Sequence, residues 1–226
     1  LSQLPAAAPD SAVWPDWQCG LNYREQVGDQ AEQLRHVSIG LLGRHQAANA
    51  SVAIATCHQL RRQGWHLDDA TIREGLARAY CPARIEVLSR APTVILDTAH
   101  NPASVAALVE FILERSGDSP RLLVFAASSD KDAPAMLRQL LPHFEHAVLT
   151  QYLNNPRATS PDKLLAMAQS IQQSCRLSRL TLHLRPDPQT AWQLVETLAS
   201  PAHLVCITGS FFLAAEMRLQ AEGTRR

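Results

Sequence analysis

Through the last two-thirds of the chain, short apolar runs alternate with longer stretches whose apolar positions recur every three or four residues. The short runs, at residues 85–88, 94–96, 122–125, 147–149, 180–184 and 204–207, have the length of strands and are rich in Val, Leu and Ile. The longer ones, at residues 102–115, 134–141, 161–175 and 188–198, keep a helical period. Continuous apolar strands separated by helices predict an α/β fold. Its core is a Rossmann-like, mainly parallel six-stranded sheet with helices on both faces and right-handed crossovers. Three helix starts are sharply signalled. Asn101-Pro102, Ser160-Pro161 and Asp187-Pro188 each set a capping side chain before a proline, whose fixed φ suits the first helical position. Gly117 is placed to close the first of these helices.

Upstream the pattern differs. The first forty residues mix prolines, two tryptophans and polar segments without a sustained period, which predicts loops with short strands at most. From Arg44 onward, Ala50, Ala53, Ile54, Cys57 and Leu60 recur at helical spacing until Gly64. A second helix is expected over residues 68–80, with Ile72, Leu76 and Ala79 on one face. Cys81-Pro82-Ala83 then interrupts the pattern, and a boundary there divides the chain into residues 1–80 and 81–226.

Composition narrows the function classes. With 46% hydrophobic and 19% charged residues, the chain can build a substantial core. Twenty-one basic and twenty-one acidic side chains cancel, and no dense Lys/Arg run occurs. That balance argues against nucleic-acid or membrane-surface binding, so an anionic ligand must be held by a few local groups. Five cysteines without a C-x-x-C pair predict reduced, mostly buried thiols in a cytoplasmic protein. The longest apolar run, LVCITGSFFLAA at residues 204–215, is too short to span a bilayer and is broken by Thr-Gly-Ser. The chain begins at Leu1 rather than Met, which suggests a piece of a longer protein, and a monomer is the default expectation.

The richest chemistry lies in ILDTAHNP, at residues 95–102. In an open parallel sheet, loops after the carboxyl ends of strands line the ligand crevice. Residues 97–101 form such a loop, leading into a helix start. The carboxylate of Asp97 suits the hydroxyls of a ribose, whereas His100 and the free N–H groups of the helix suit a carboxylate or phosphate. A structural alternative stands beside this: Asn101-Pro102 as a plain cap and Asp97 as a strand-end turn residue. No G-x-G-x-x-G follows any strand, which removes the main support for a dinucleotide redox enzyme, and no G-x-x-x-x-G-K-[ST] phosphate loop occurs. His45, His58 and His66 lack metal-ligand partners at credible spacing, so no metal ligand is assigned. Ser210 stands in TGSFF rather than G-x-S-x-G and is read as a polar contact at another strand-to-helix junction.

Six segments occur in one order: GLLGRHQAANASVAIA at residues 40–55, ARIEVL at 83–88, ILDTAHNP at 95–102, SDKDAPAML at 129–137, NPRA at 155–158 and ITGSFFLAAE at 207–216. Over roughly residues 37–217 this order resembles the C-terminal portion of folylpolyglutamate synthase and dihydrofolate synthase, in the Mur ligase superfamily. The resemblance implies an ATP-dependent acid–amino-acid ligase acting with magnesium, which joins L-glutamate to a folate carboxylate through an acyl phosphate. Its partners would be ATP, a folate and L-glutamate. Asn49 then matches an adenine contact, with a polar helix position as the alternative. Arg84 matches the arginine that reaches the ATP phosphates, with a salt bridge to Glu86 as the alternative, and Asp97 matches the ribose-binding acid. His100 and Ser210 match residues near the incoming glutamate, with a supporting hydrogen bond and a helix cap as the alternatives. Arg157 faces the amino-acid site or solvent, and Lys131 and Asp132 belong to a family motif, with loop stabilisation as the alternative role.

The sequence departs from the family at three places. Ala83 stands for a glycine, Thr98 for another, and Phe212 where some members carry Tyr. The resemblance also implies that the phosphate loop, magnesium ligands and modified lysine belong to an N-terminal ATPase domain. Residues 1–80 would then be only the tail of that domain, and residues 81–226 the glutamate ligase domain. The chain alone is expected to be inactive. Alternatives are a dihydrofolate synthase, a bifunctional enzyme, or a non-catalytic nucleotide-binding module of the same fold.

Overall fold

A computed structural model describes Trp17, residues 19–27 and residues 30–223. The loops expected for residues 1–16 lie outside these. Contacts divide the chain into two compact units that meet between Pro82 and Ala83.

The first unit is an antiparallel hairpin, β1 (Cys19–Val27) and β2 (Gln30–Ile39), followed by α1 (Arg44–Arg62) and α2 (Asp69–Ala77). A long hairpin replaces the loops expected here, and its hidden period has a physical cause. Tyr23, Leu34 and Val37 are buried, but the register slips between Leu21 and Tyr23. Opposite the slip His36 takes φ 53 and donates its N–H to Asn22 Oδ1 at 2.8 Å. One inserted residue shifts the two-residue alternation by a place, so Leu34 and Val37 fall three apart and read as irregular. Tyr23, Leu34, Val37, Ile54 and Ile72 form the core of this unit. The buried stripe of α1 is Gln46, Ala50, Ile54 and His58, four residues apart, while Ala53 is exposed. The apolar face drawn from sequence was therefore rotated. Polar residues at both ends of the true stripe are buried with hydrogen-bond partners, which apolarity alone does not reveal.

The second unit contains the predicted six-stranded sheet. In chain order it runs β3 (Glu86–Arg90), β4 (Thr93–Leu96), α3 (Pro102–Ser116), β5 (Arg121–Phe125), α4 (Ala133–Leu140), β6 (His146–Leu149), α5 (Pro161–Ser174), β7 (Thr181–Leu184), α6 (Pro188–Leu198), β8 (Leu204–Thr208) and α7 (Phe211–Gly223). The spatial order is β3-β4-β8-β5-β6-β7, with β3 antiparallel to β4 and every other pair parallel. Stepping outward from β4 to β7 places α3, α4 and α5 along one face, and the return through α6 to β8 places α6 and α7 on the other. Val94, Leu96, Leu122, Val124, Val205 and Ile207 pack against Trp192, Val195, Leu213 and Met217 of α6 and α7. Alternate residues such as Ile95, Leu123 and Cys206 are fully buried towards the opposite face. Ile85, expected to open the first strand, instead has φ 49, and the strand starts at Glu86.

Among the described residues no helix is long and apolar enough to cross a membrane. All five cysteines are free, but only Cys206 is buried, whereas Cys81 and Cys175 are exposed, so the expectation of mostly buried thiols fails.

Candidate functional site

Three parallel strands of the second unit, β4, β8 and β5, end side by side, and the loops that follow them carry polar side chains. After β4 the ladder continues one step, Asp97 N–H donating to Ile207 O at 2.9 Å. The Asp97 carboxylate then turns inward, only 6% exposed. Its Oδ2 accepts the Ile85 N–H at 2.9 Å and its Oδ1 the Ala99 N–H at 2.7 Å. Asp97 thus fastens the segment before β3 to the loop after β4. His100 Nδ1 lies 2.9 Å from Thr98 O, a group that only accepts. Nδ1 therefore carries the proton in the neutral ring, and Nε2 is left as an acceptor. Asn101 closes a reciprocal cap with Ser104, its Oδ1 accepting the Ser104 N–H at 2.9 Å.

After β8 comes Gly209, with φ 109. A Cβ there would sit 2.7 Å from the Phe125 ring and closer still to the Ala126 carbonyl, so only glycine lets β8 pass this point. Ser210, 3% exposed, starts α7: its carbonyl accepts the Ala214 N–H at 3.0 Å and its Oγ accepts the Phe212 N–H at 3.2 Å. After β5, Ser128 Oγ and Tyr152 Oη are 2.5 Å apart, and Ser129 N–H donates to Arg157 O at 2.8 Å. Asp132 caps α4 through the Ala135 N–H at 3.0 Å. The Asp130 carboxyl is held below its ordinary value by the hydrogen bond from Lys131, 3.0 Å away.

These loops enclose a cleft of about 200 Å³ lined by His100, Ser128, Lys131, Arg157, Ser210 and Phe212, with Asp130 and Phe211 also at its wall. Two adjacent aromatic rings organise it. The Arg84 guanidinium carbon lies 5.9 Å from the centre of the Phe211 ring, and that of Arg157 lies 6.0 Å from the Phe212 ring. His100 meets Phe211 at 5.2 Å between ring centres, and Tyr152 meets Phe212 at 5.1 Å. Arg84, His100, Arg157 and Ser210 therefore gather around one helix start, and Asp97 lies beneath them, fastening the Arg84 segment. Glu86, considered from sequence as a salt-bridge partner of Arg84, pairs with Arg218 instead. Phe211 was not singled out from sequence; the consecutive aromatics after Gly-Ser were the available signal.

In the first unit Asn49 is an exposed residue of α1 whose Nδ2 donates to Gln46 Oε1 at 3.1 Å. Long-range folding also supplies His58 with partners that its sequence spacing concealed. Its Nδ1 lies 2.7 Å from Glu25 Oε1 and 3.0 Å from Glu32 Oε2. Ligand atoms of these three residues cluster within 4.8 Å of one another. Arg62, 2.8 Å from Glu32 and 3.4 Å from Glu25, offsets part of the acidic charge there.

Residues 83–211 match the family described as Mur ligase, glutamate ligase domain. The dihydrofolate synthase/folylpolyglutamate synthase of Bacillus subtilis is 28% identical over 86% of the chain and 44% of its own length. Mycobacterium tuberculosis folylpolyglutamate synthase complexed with ADP superimposes with a TM-score of 0.74 at 26% identity, over 88% of this chain and 46% of that one. The bifunctional folylpolyglutamate synthase/dihydrofolate synthase of Yersinia pestis, complexed with AMPPNP and a manganese ion, gives 0.71 at 27% identity over 88% and 43%. The chain spans less than half the length of each of these three proteins.

Proposed function

The chain belongs to the Mur ligase family through that family's glutamate ligase domain, and from this premise we propose that it is the C-terminal portion of an ATP-dependent folylpolyglutamate synthase. The whole enzyme would add L-glutamate to the γ-carboxylate of a folate through an acyl phosphate. The observation that carries this is the cleft at the carboxyl ends of β4, β5 and β8, lined by His100, Lys131 and Arg157, with Arg84 seated on the Phe211 ring at its wall. Glutamate brings two carboxylates and an amine, and the cleft offers donors for the former and the Asp130 carboxylate for the latter.

The residues present fit a nucleotide in kind. Arg84, seated on a ring face with its guanidinium fork uncommitted to Glu86, is a donor for phosphate oxygens. Asn49 keeps its amide oxygen and one N–H for a base edge. Asp97, matched to the ribose-binding acid, accepts the Ile85 and Ala99 N–H groups and so fixes the segment that carries Arg84. ATP with a divalent cation, both of which have counterparts in the relatives' complexes, would supply the activation that turns a carboxylate into an electrophile. No residue of this chain is assigned to the metal, and residues 1–80 are read as the tail of the ATPase domain that would hold it.

His100 would accept a hydrogen bond from the glutamate amine through Nε2, and Ser210 holds the helix end at which one carboxylate would sit. The test is incorporation of labelled glutamate by the enzyme encoded by the uninterrupted reading frame, with tetrahydrofolate and dihydropteroate compared as acceptors. ATP-dependent extension of tetrahydrofolate is the expected result. Extension of dihydropteroate alone would make it a dihydrofolate synthase, the other activity named for the Bacillus subtilis and Yersinia pestis relatives. No glutamate incorporation with either acceptor would sink the ligase assignment.

A further inference from the structure

Arg84 covers the Phe211 ring at the wall of the cleft and Arg157 lines the cleft over Phe212, from two separate loops, and both loops are tied to α7 by charged side chains just beyond those phenylalanines. Glu216 holds one of them. Its carboxylate accepts the Leu153 N–H at 2.9 and 3.0 Å, the Asn154 N–H at 2.9 Å and the Asn154 Nδ2 at 3.0 Å. That fixes the entry to the turn in which Arg157 N–H donates to Asn155 Oδ1 at 3.0 Å.

Arg218 holds the other loop at one remove. It makes a forked pair with Glu86, Nη1 to Oε1 at 3.0 Å and Nη2 to Oε2. Glu86 Oε2 in turn accepts the Ala83 N–H at 2.7 Å, while Asp97 takes the Ile85 N–H. The amides on both sides of Arg84 are thus captured by carboxylates. They need to be: Ala83 and Ile85 have φ of 54 and 49, a region that residues with a Cβ enter only when surrounding structure compels them. A glycine before Arg84 would adopt such a φ without steric cost; Ala83 does not.

We propose that Glu216 and Arg218 are positioning residues. Glu216 sets Arg157, and Arg218 sets Arg84 through Glu86, so that one helix holds both guanidinium groups over the two phenylalanines at the cleft wall. This rests on the cleft being the ligand site described above. Neither side chain lines the cleft, so neither is a catalytic residue.

The test uses the 226-residue chain and two variants, Arg218→Met, which keeps most of the aliphatic stem, and Glu216→Ala. Amide hydrogen exchange and the Nε–H resonances of Arg84 and Arg157, which ring currents of Phe211 and Phe212 displace, are read by NMR. Loss of a charge-assisted hydrogen bond predicts about tenfold faster exchange at the amides it held. Arg218→Met should show this at Ala83 and shift the Arg84 resonance, leaving Leu153, Asn154 and Arg157 unchanged. Glu216→Ala should show the mirror image, and Glu216→Gln and Arg218→Lys should recover part of the wild-type pattern. Equal acceleration in both loops in either variant, or none, overturns the proposal. L-glutamate and ADP titrated into the wild-type chain test the ligase assignment separately. Silence there together with the crossed exchange pattern would remove the assignment and leave the positioning role standing.

Discussion

Gly209 is where a single atom would matter most. Its φ of 109 and the Phe125 ring 2.7 Å from any added Cβ leave no room for alanine, and the obstructing Ala126 carbonyl is backbone that cannot swing away. Gly209→Ala should destabilise the second unit by about 3 kcal/mol in urea unfolding, combining backbone strain with overpacking. In the first unit, Glu25 and Tyr23 give opposite pH limbs. Burial alone would raise the Glu25 carboxyl, but hydrogen bonds from His58 and Tyr23 and the Arg62 charge outweigh it and hold the group below its ordinary 4.5. Its contribution is full above that value and is lost as pH falls through the lower folded one. Tyr23 is pushed up from 10.0 to about 12 by burial and then by Glu25, so its contribution is full below 10.0 and fades as pH rises towards about 12. Thermal melts across this range should show both limbs, and Glu25→Gln should flatten the acid one and weaken the alkaline one. Residue placement was legible where motif and position agreed, as for Asp97 and His100 on the loop after β4. The aromatic seats Phe211 and Phe212 and the buried His58 network were not, because their partners lie far off in sequence.

Helix ends give the clearest comparison between signal and structure. Three Pro-led starts looked alike in sequence, yet Asn101 and Asp187 accept the N–H three residues on, at 2.9 and 2.7 Å, while Ser160 makes no side-chain cap bond. Asn101→Ala and Asp187→Ala should therefore each cost about 1 kcal/mol, and Ser160→Ala close to nothing, when the three are compared by chemical denaturation. The element pattern of the second unit could be read because its strands are continuous apolar runs, fully buried in β4 and β8, between helices with capped starts. The β1–β2 hairpin could not, since its bulge at Asn22 and His36 broke the period on which strand recognition depends. An antiparallel β3–β4 pair added to an otherwise parallel sheet was likewise invisible to periodicity, which carries no strand direction.

At the scale of the molecule, the sequence holds no G-x-x-x-x-G-K-[ST] phosphate loop, and the chain covers 44–46% of two of its relatives. The isolated chain should give no ATP-dependent glutamate ligation above background in an assay of labelled glutamate, and turnover by it alone would contradict the assignment of residues 1–80 as an incomplete ATPase tail.

The strand order carries one more consequence, for synthesis. β8, one of the two central strands, leaves the ribosome last of the six and must slot between β4 and β5, which have been waiting since much earlier in translation. Until it arrives, the nascent chain carries two open edges rich in Val, Leu and Ile, a template for pairing with other chains. A polypeptide stopped at His203 should therefore collect in inclusion bodies, while one reaching Ala221 should not.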